Sequence, residues 1–177
     1  MDPRIGRTRA SVLQHARELL AAEGPDAVTY SELSARSQVT RQTLYRHWPT
    51  RERLFLDIVL EGPALPYPDG TGSPEQIITE FLLSFRAGMQ VQATASALLM
   101  LVAQADYDPP SHEALSQIVA NRLEALNTLL RPTGVLVTPE QFAQLCGPVL
   151  YQRFFARTAP SDDFIRDLVR THFAVRT

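Results

Sequence analysis

The chain has 177 residues, 45% of them hydrophobic and 20% charged, values that are ordinary for a soluble globular protein. Its single cysteine, Cys146, excludes an internal disulfide and a multi-cysteine zinc site, and no uninterrupted apolar run reaches membrane-spanning length. The formal net charge of −2 hides an asymmetry that favours a phosphate-facing N-terminal part: residues 1–53 carry nine arginines against six acids, and the remainder eight against thirteen.

Hydrophobic spacing and capping residues predict a helical head in the first sixty residues. The predicted helices cover residues 9–23, 29–37 and 41–48, with a fourth beginning at residue 50. Thr29 and Thr40 are the expected caps of the second and third helices, with Glu32 placed to complete a capping box at Thr29.

Proline and glycine are concentrated after the fourth helix, which predicts a linker over residues 61–73. Ser73 and Thr138 each precede Pro-Glu-Gln, a sequence that caps a helix and begins it at proline, and Ser111 and Ser161 are further expected caps. Five helices are predicted here, over residues 74–91, 94–105, 112–131, 139–157 and 162–175.

No stretch shows convincing strand alternation, so the expected fold class is all-α with about nine helices in total. We expect two domains: a three-helix head over residues 1–60, and a larger helical domain over residues 74–177.

Only three residues, 38–40, join the second and third helices, as in helix-turn-helix units whose second helix enters the DNA major groove. The first turn of that helix holds Arg41, Gln42 and Thr43, residue types that hydrogen-bond to base edges. Short polar helices with an aromatic end also occur in ordinary bundles, so this pattern alone leaves DNA binding and a plain helical bundle open.

Residues 37–54, SQVTRQTLYRHWPTRERL, resemble the signature of TetR-family regulators, approximately A-G-V-S-x-x-T-L-Y-x-H-F-x-S-K-E-x-L. The resemblance extends without a gap over about residues 7–60. It departs at Gln38, which replaces the turn glycine and must tolerate a left-handed or otherwise adapted turn. It also departs at Arg51, which replaces the usual lysine and can still contact phosphate.

This resemblance implies a sequence-specific DNA-binding transcriptional regulator. Arg41, Gln42 and Thr43 should approach bases, whereas Tyr45, His47 and Arg51 should hold phosphates. The full expected DNA-binding set is Thr29, Thr40, Arg41, Gln42, Thr43, Tyr45, Arg46, His47 and Arg51.

A fainter resemblance covers residues 146–155 and the turn that leads to Phe164, which are similar to the penultimate helix and following turn of TetR-type effector domains. It implies a homodimer whose last two helices pair with those of a second subunit. The expected interface residues are Phe142, Val149, Phe154, Phe164 and Leu168. The alternative is that these side chains only complete the subunit core.

Members of the family commonly bind a small effector in this domain. The candidate lining residues are Phe81, Phe85, Met89, Met100, Tyr107 and Tyr151. Any one of them can equally be ordinary core, and a C-terminal domain that only dimerises or binds protein partners, without a ligand, stays open as an alternative.

An enzyme is the rival class, because Asp106, Asp108, His112 and Glu113 lie within eight residues. They lack the His-x-x-x-His or Glu-x-x-His pairing of a metal site, and cap and turn positions account for them. We therefore expect no catalytic residue, metal site or cofactor. The expected protein is a cytoplasmic homodimeric repressor that a small effector releases from a palindromic operator.

Overall fold

The computed structural model describes residues 3–61 and 68–174, which form nine α-helices and no strand. In chain order the helices are α1 (Pro3–Ala22), α2 (Tyr30–Ser37), α3 (Arg41–His47), α4 (Arg51–Leu60), α5 (Pro74–Gln90), α6 (Gln92–Gln104), α7 (Pro109–Leu130), α8 (Pro139–Phe154) and α9 (Asp162–Ala174). The all-α prediction is confirmed. No helix in the described ranges is long and apolar enough to cross a membrane.

Side-chain caps begin most of the helices at the residues that the sequence indicated. Thr138 and Gln141 form a complete capping box on α8: the Thr138 amide donates to Gln141 Oε1 at 2.9 Å, and the Gln141 amide donates to Thr138 Oγ1 at 3.3 Å. The Phe164 amide likewise donates to the Ser161 hydroxyl at 3.1 Å, ahead of α9. These bonds satisfy amides that have no partner inside the helix.

The capping box predicted at Thr29 forms only in part. The Glu32 amide donates to Thr29 Oγ1 at 3.1 Å, as expected. The return bond is absent because the Thr29 amide donates to the Ala27 carbonyl at 2.9 Å, and the Glu32 carboxylate accepts from Arg36 at 2.7 Å.

The predicted start of the seventh helix is wrong by three residues. Asp108, not Ser111, caps α7: its carboxylate accepts from the Ser111 amide at 2.9 Å and from the Ser111 hydroxyl at 2.6 Å. Pro109 then occupies the first helical position, where its missing amide hydrogen costs nothing. Ser111 lies in the first turn and is fully buried.

The predicted linker lies partly outside the described residues, since residues 62–67 are not among them. In its described part, the Asp69 side chain accepts from the Thr71 amide at 3.0 Å, a bond typical of a turn. Gly72 has φ 107, a conformation that L side chains rarely adopt.

The described residues divide into two compact units, one within residues 1–62 and 91–118 and the other within 63–90 and 119–177. This division differs from a single break after the head, because α6 and the first part of α7 belong to the first unit. Ala97 and Leu101 of α6 are fully buried in the same core as Leu13, Leu44 and Phe55.

The second unit contains α5, the second part of α7, α8 and α9. Its core is formed by buried apolar side chains from all four helices, among them Ile77, Leu126, Leu145 and Ile165. Arg86 of α5 donates to the Pro160 carbonyl at 2.7 Å, which ties α5 to the turn before α9.

Candidate nucleic-acid interface

The joint between α2 and α3 has the backbone of a helix-turn-helix. Gln38 adopts a left-handed conformation, φ 57 and ψ 23, as expected of a residue that replaces the turn glycine. Leu33 on α2 and Leu44 on α3 are buried in the core of the first unit, and Val39 packs against that core. The turn therefore holds the outer faces of α2 and α3 in a fixed relation.

The first turn of α3 presents polar side chains to solvent. Arg41 and Gln42 are exposed, and within the described part of the chain neither side chain is seen in a hydrogen bond or an ion pair. Thr40 caps the helix by accepting from the Thr43 amide at 3.3 Å, and the two threonine hydroxyls lie 3.0 Å apart. Two side chains of base-reading type thus remain available next to a capped helix N-terminus.

Tyr45 is an exposed residue of α3 whose ring contacts a tyrosine ring of α2. Its side chain is 52% exposed, and its ring lies on the ring of Tyr30 with centroids 4.3 Å apart. Burial raises the pKa of the Tyr30 phenol to about 12. Tyr45 is therefore supported from below while its hydroxyl remains available to a phosphate.

The C-terminal end of α3 combines exposed and buried groups. Arg46 is exposed, His47 is half-buried, and Trp48 is only 1% exposed. His47 also lines a cleft of about 350 Å³ in the first unit, together with Thr50, Arg53 and Gln117. In this cleft the Arg53 guanidinium donates to Gln117 Oε1 at 3.2 Å.

Two further helix N-termini carry predicted phosphate contacts. Thr29 is exposed at the start of α2, and Arg51 is the first residue of α4, where Thr50 caps by accepting from the Arg53 amide at 3.3 Å. The Arg51 guanidinium lies 5.5 Å from the Phe55 ring centroid, which restrains its stem. Helix N-termini attract anions through their free amides and the helix dipole.

The sequence reasoning missed a buried polar network behind α3. The Trp48 indole Nε1 donates to Asp57 Oδ2 at 2.6 Å, and Arg9 Nη2 lies 2.7 Å from the same oxygen. Burial raises the pKa of the Asp57 carboxyl, and the Trp48 hydrogen bond and the Arg9 charge oppose that rise. One signal for it was present: Asp57 interrupts an otherwise apolar run over residues 54–60.

The six predicted ligand-lining residues are divided between the two units. Met100 is buried in the first unit, and Tyr107 is 89% exposed. Phe81 and Met89 are buried within the second unit, and Phe85 is half-buried there. The sixth, Tyr151, lines an open groove with Pro148, Gln152 and Phe164, among others, and with none of the other five.

The predicted interface residues also separate into two kinds. Val149 is fully buried, and Phe142 is only 6% exposed and belongs to the core of the second unit. The remaining three, Phe154, Phe164 and Leu168, are half-buried. Near them, Tyr151 and Phe155 are 62% and 77% exposed and stack with ring centroids 5.7 Å apart.

The acidic segment before α7 has a structural role. Asp108 caps the helix, and Glu113 accepts from Gln117 at 3.0 Å. Among the residues that the structure describes, no three His, Cys, Asp or Glu side chains are grouped to hold a metal ion.

Known proteins similar to this chain are transcriptional regulators. Residues 12–58 match the family model described as bacterial regulatory proteins, tetR family. The chain is 26% identical over 181 residues to the uncharacterized HTH-type transcriptional regulator YdeS of Bacillus subtilis (strain 168), with 97% of this chain and 90% of that protein covered.

Solved structures of other proteins share the fold of this chain over nearly its whole length. The TetR family transcription regulator SCO0332 is 27% identical with a TM-score of 0.71, over 93% of this chain and 95% of that one. A transcriptional regulator from Saccharomonospora viridis, solved in complex with choline, shares the fold with a TM-score of 0.61 at 12% identity, over 96% of both chains. The helix-turn-helix geometry and these likenesses agree: residues 12–58 form a DNA-binding domain of the TetR type, and more than nine-tenths of the chain is similar to helix-turn-helix transcriptional regulators.

Proposed function

We propose that this chain acts as a homodimeric repressor that binds a palindromic operator and that a small effector releases it. The proposal has a DNA-reading half, which is operator binding, and an effector half, which is release. The observation that supports the DNA-reading half is the first turn of α3, where Arg41 and Gln42 are exposed beside a fixed helix-turn-helix turn. Arginine can fork onto guanine and glutamine onto adenine in the major groove, with Thr43 as an adaptable third contact. A regulator with this task works in the cytoplasm, where the operator DNA is.

Phosphate contacts would set the orientation of α3 in the groove. Thr29 and Arg51 contribute from the N-termini of α2 and α4, and Tyr45 contributes from its support on Tyr30. Thr40, Arg46 and His47 complete the phosphate-facing set. Such contacts carry affinity for any sequence, whereas Arg41 and Gln42 carry the discrimination between sequences.

The dimer would form through α8 and α9. Tyr151 and Phe155 expose a stacked aromatic pair beside a groove lined by Phe164, an apolar surface that a second copy can cover. Phe154 and Leu168 are half-buried side chains of the same two helices. A two-fold dimer places two recognition helices roughly 34–36 Å apart, one turn of DNA, which is why the operator should be palindromic.

We propose that residues 74–177 also take up the effector. The choline complex of the Saccharomonospora viridis regulator, which shares this fold, supports a small-molecule site in such a domain. The effector can release DNA only by binding the DNA-free conformation more tightly than the DNA-bound one. The alternative, a domain that only dimerises or binds protein partners, predicts that no small molecule changes DNA affinity.

Selection from a randomised duplex library, followed by anisotropy titration, tests the DNA-reading half. We expect Arg41→Ala to weaken the selected duplex by about 5- to 150-fold and to relax specificity at one base pair, the equivalent of roughly 1–3 kcal/mol. We expect Arg51→Ala to weaken all sequences alike. Arg131→Ala, at an exposed arginine of the second unit, is the matched control and should change neither. Failure of the wild type to enrich any duplex at low salt contradicts the proposal.

Native mass spectrometry of the purified protein and a titration with choline test the effector half. A bound small molecule, or a choline-dependent loss of affinity for the selected duplex, supports release by an effector. The alternative is supported if the purified protein carries no small molecule and choline does not change its affinity for DNA. The DNA-reading half stands or falls on the selection experiment alone.

A further inference from the structure

Trp48 closes the recognition helix α3, and two other helices hold its polar groups. Its indole Nε1 donates to Asp57 Oδ2 on α4 at 2.6 Å, and its carbonyl accepts from the Tyr30 hydroxyl on α2, also at 2.6 Å. Its amide donates to the Leu44 carbonyl at 2.8 Å and ends the helix. The side chain is 1% exposed and its indole bond is buried, whereas the carbonyl bond from Tyr30 is partly buried. The end of α3 is thereby fixed to α2 and to α4.

Asp57 is an unusual residue for its position. It is 6% exposed and lies in a stretch of α4 whose other buried residues are apolar. Arg9 of α1 supplies the opposite charge at 2.7 Å, pairs also with Glu61, and lies 5.7 Å from the centre of the Trp48 ring. A buried carboxylate is unfavourable unless it is paired and hydrogen-bonded, and here Arg9 supplies the pairing and Trp48 the hydrogen bond.

Directional bonds at this place do something that apolar packing does not. The recognition helix has seven residues, too few to keep its own structure or direction without its neighbours. An apolar aromatic contact tolerates sliding and rotation, whereas a buried hydrogen bond favours one geometry. The indole bond to Asp57 and the carbonyl bond from Tyr30 therefore restrict the angle of α3.

Tyr30 also connects this network to the DNA-facing surface. Its hydroxyl holds the Trp48 carbonyl, while its ring supports the ring of Tyr45 at 4.3 Å. A single side chain of α2 thus restrains both the end of α3 and an exposed residue of its outer face.

We propose that Asp57 and Tyr30, with Arg9 as the counter-charge, are positioning residues that set the orientation of α3 for sequence-specific reading without touching DNA themselves. This inference rests on the proposed function of α3. It predicts that loss of these bonds lowers the preference for the operator over other sequences, because a tilted helix keeps its charges near phosphates but misaligns its base contacts.

The test compares the dissociation constants of each variant for the selected duplex and for a scrambled duplex. The ratio of the scrambled-duplex constant to the selected-duplex constant measures the preference for the operator. We expect Asp57→Ala to lower this ratio by about tenfold or more, since the base contacts lose alignment. We expect Tyr30→Phe, which keeps the ring and removes the hydroxyl bond, to lower it by roughly three- to tenfold. Asp57→Asn keeps an acceptor for the indole and should retain most of the preference.

Val12→Ala is the matched control, because Val12 is a fully buried apolar side chain of α1 in the same unit and has no polar group to join the network. A merely destabilised protein has a smaller folded fraction, which weakens both duplexes equally and leaves the ratio unchanged. Trp48 is the chain's only tryptophan, so a single indole N–H resonance reports its bond to Asp57. That resonance should move in Asp57→Ala and stay in place in Val12→Ala.

An unchanged ratio in both Asp57→Ala and Tyr30→Phe overturns the proposal. If Asp57→Ala fails to fold, the Tyr30→Phe ratio alone decides. Failure of the proposed function has a different result: Arg41→Ala would then leave the ratio unchanged, whatever the positioning variants do.

Discussion

The left-handed residue in the helix-turn-helix turn offers a test of how the fold tolerates the missing glycine. Gln38 has φ 57 and ψ 23, and its side chain is exposed. A residue with a Cβ in this conformation costs roughly 1–2 kcal/mol, whereas glycine adopts it freely. Glycine also makes folding less favourable by about 0.4–1 kcal/mol, because it raises the entropy of the unfolded chain. We therefore expect Gln38→Gly to raise the free energy of unfolding by about 0.5–1 kcal/mol.

Urea unfolding followed by Trp48 fluorescence measures this effect, because the only tryptophan is buried in the unit that contains the turn. A gain of about 1 kcal/mol moves the midpoint by roughly 0.3–1 M for ordinary urea dependence. Gln38→Ala removes the same side chain but keeps the Cβ, so its midpoint should stay near that of the wild type.

Gln38→Val gives the opposite sign, because a β-branched residue resists positive φ more strongly. A midpoint that falls in Gln38→Gly, or that rises equally in Gln38→Ala, would refute backbone strain as the cause. Arg157, which follows α8, has the same φ of 57, and its replacement by glycine provides an independent check of the sign by thermal denaturation.

Three further results are expected. The Tyr30 pKa of about 12 means that only the unfolded chain ionises this phenol between pH 10 and pH 12, so stability should fall through that window. Tyr30→Phe lacks this phenol, so its free energy of unfolding should fall by roughly 1–2 kcal/mol less than that of the wild type over the same window, a value reduced for partial exposure. Urea titrations at successive pH values measure the difference. Thr138→Ala should lower the free energy of unfolding by about 1 kcal/mol, because the α8 capping box is lost. The Ser161 cap stays intact in this variant, so thermal denaturation compared with the wild type measures the loss at α8. Phe155→Asp should raise the dimer dissociation constant by about tenfold or more in sedimentation experiments without lowering the melting temperature, since the ring is 77% exposed.

Local features of the chain were readable from the sequence because they depend on residues close together. Thr40 and Thr138 cap their helices through amides three residues ahead, and the resemblance to a signature with glycine at position 38 indicates the left-handed turn at Gln38. The exposure of Arg41 and Gln42 follows in turn from the apolar positions that bury Leu44. Such short-range constraints place the helix-turn-helix and the residues of its outer face.

Contacts between distant residues were not readable in this way. Asp57 meets Trp48 nine positions away and Arg9 forty-eight positions away, and no spacing rule selects those partners over others. Tyr107 and Met89 are residues of the same pocket-lining type, yet one is exposed and the other buried. Hydrophobicity predicts that a side chain prefers burial, but not which surface covers it.

The sequence by itself determined the helices, their caps, the turn and the polar face of α3, because each depends on bonds within a few residues of chain. Tertiary structure alone decided that α6 joins the unit of the head, that Val149 is fully buried, and that a buried carboxylate accepts a hydrogen bond from Trp48. The physical reason is that burial and pairing of charge depend on which helices meet, and an amphipathic helix can meet several partners before the packed fold selects one.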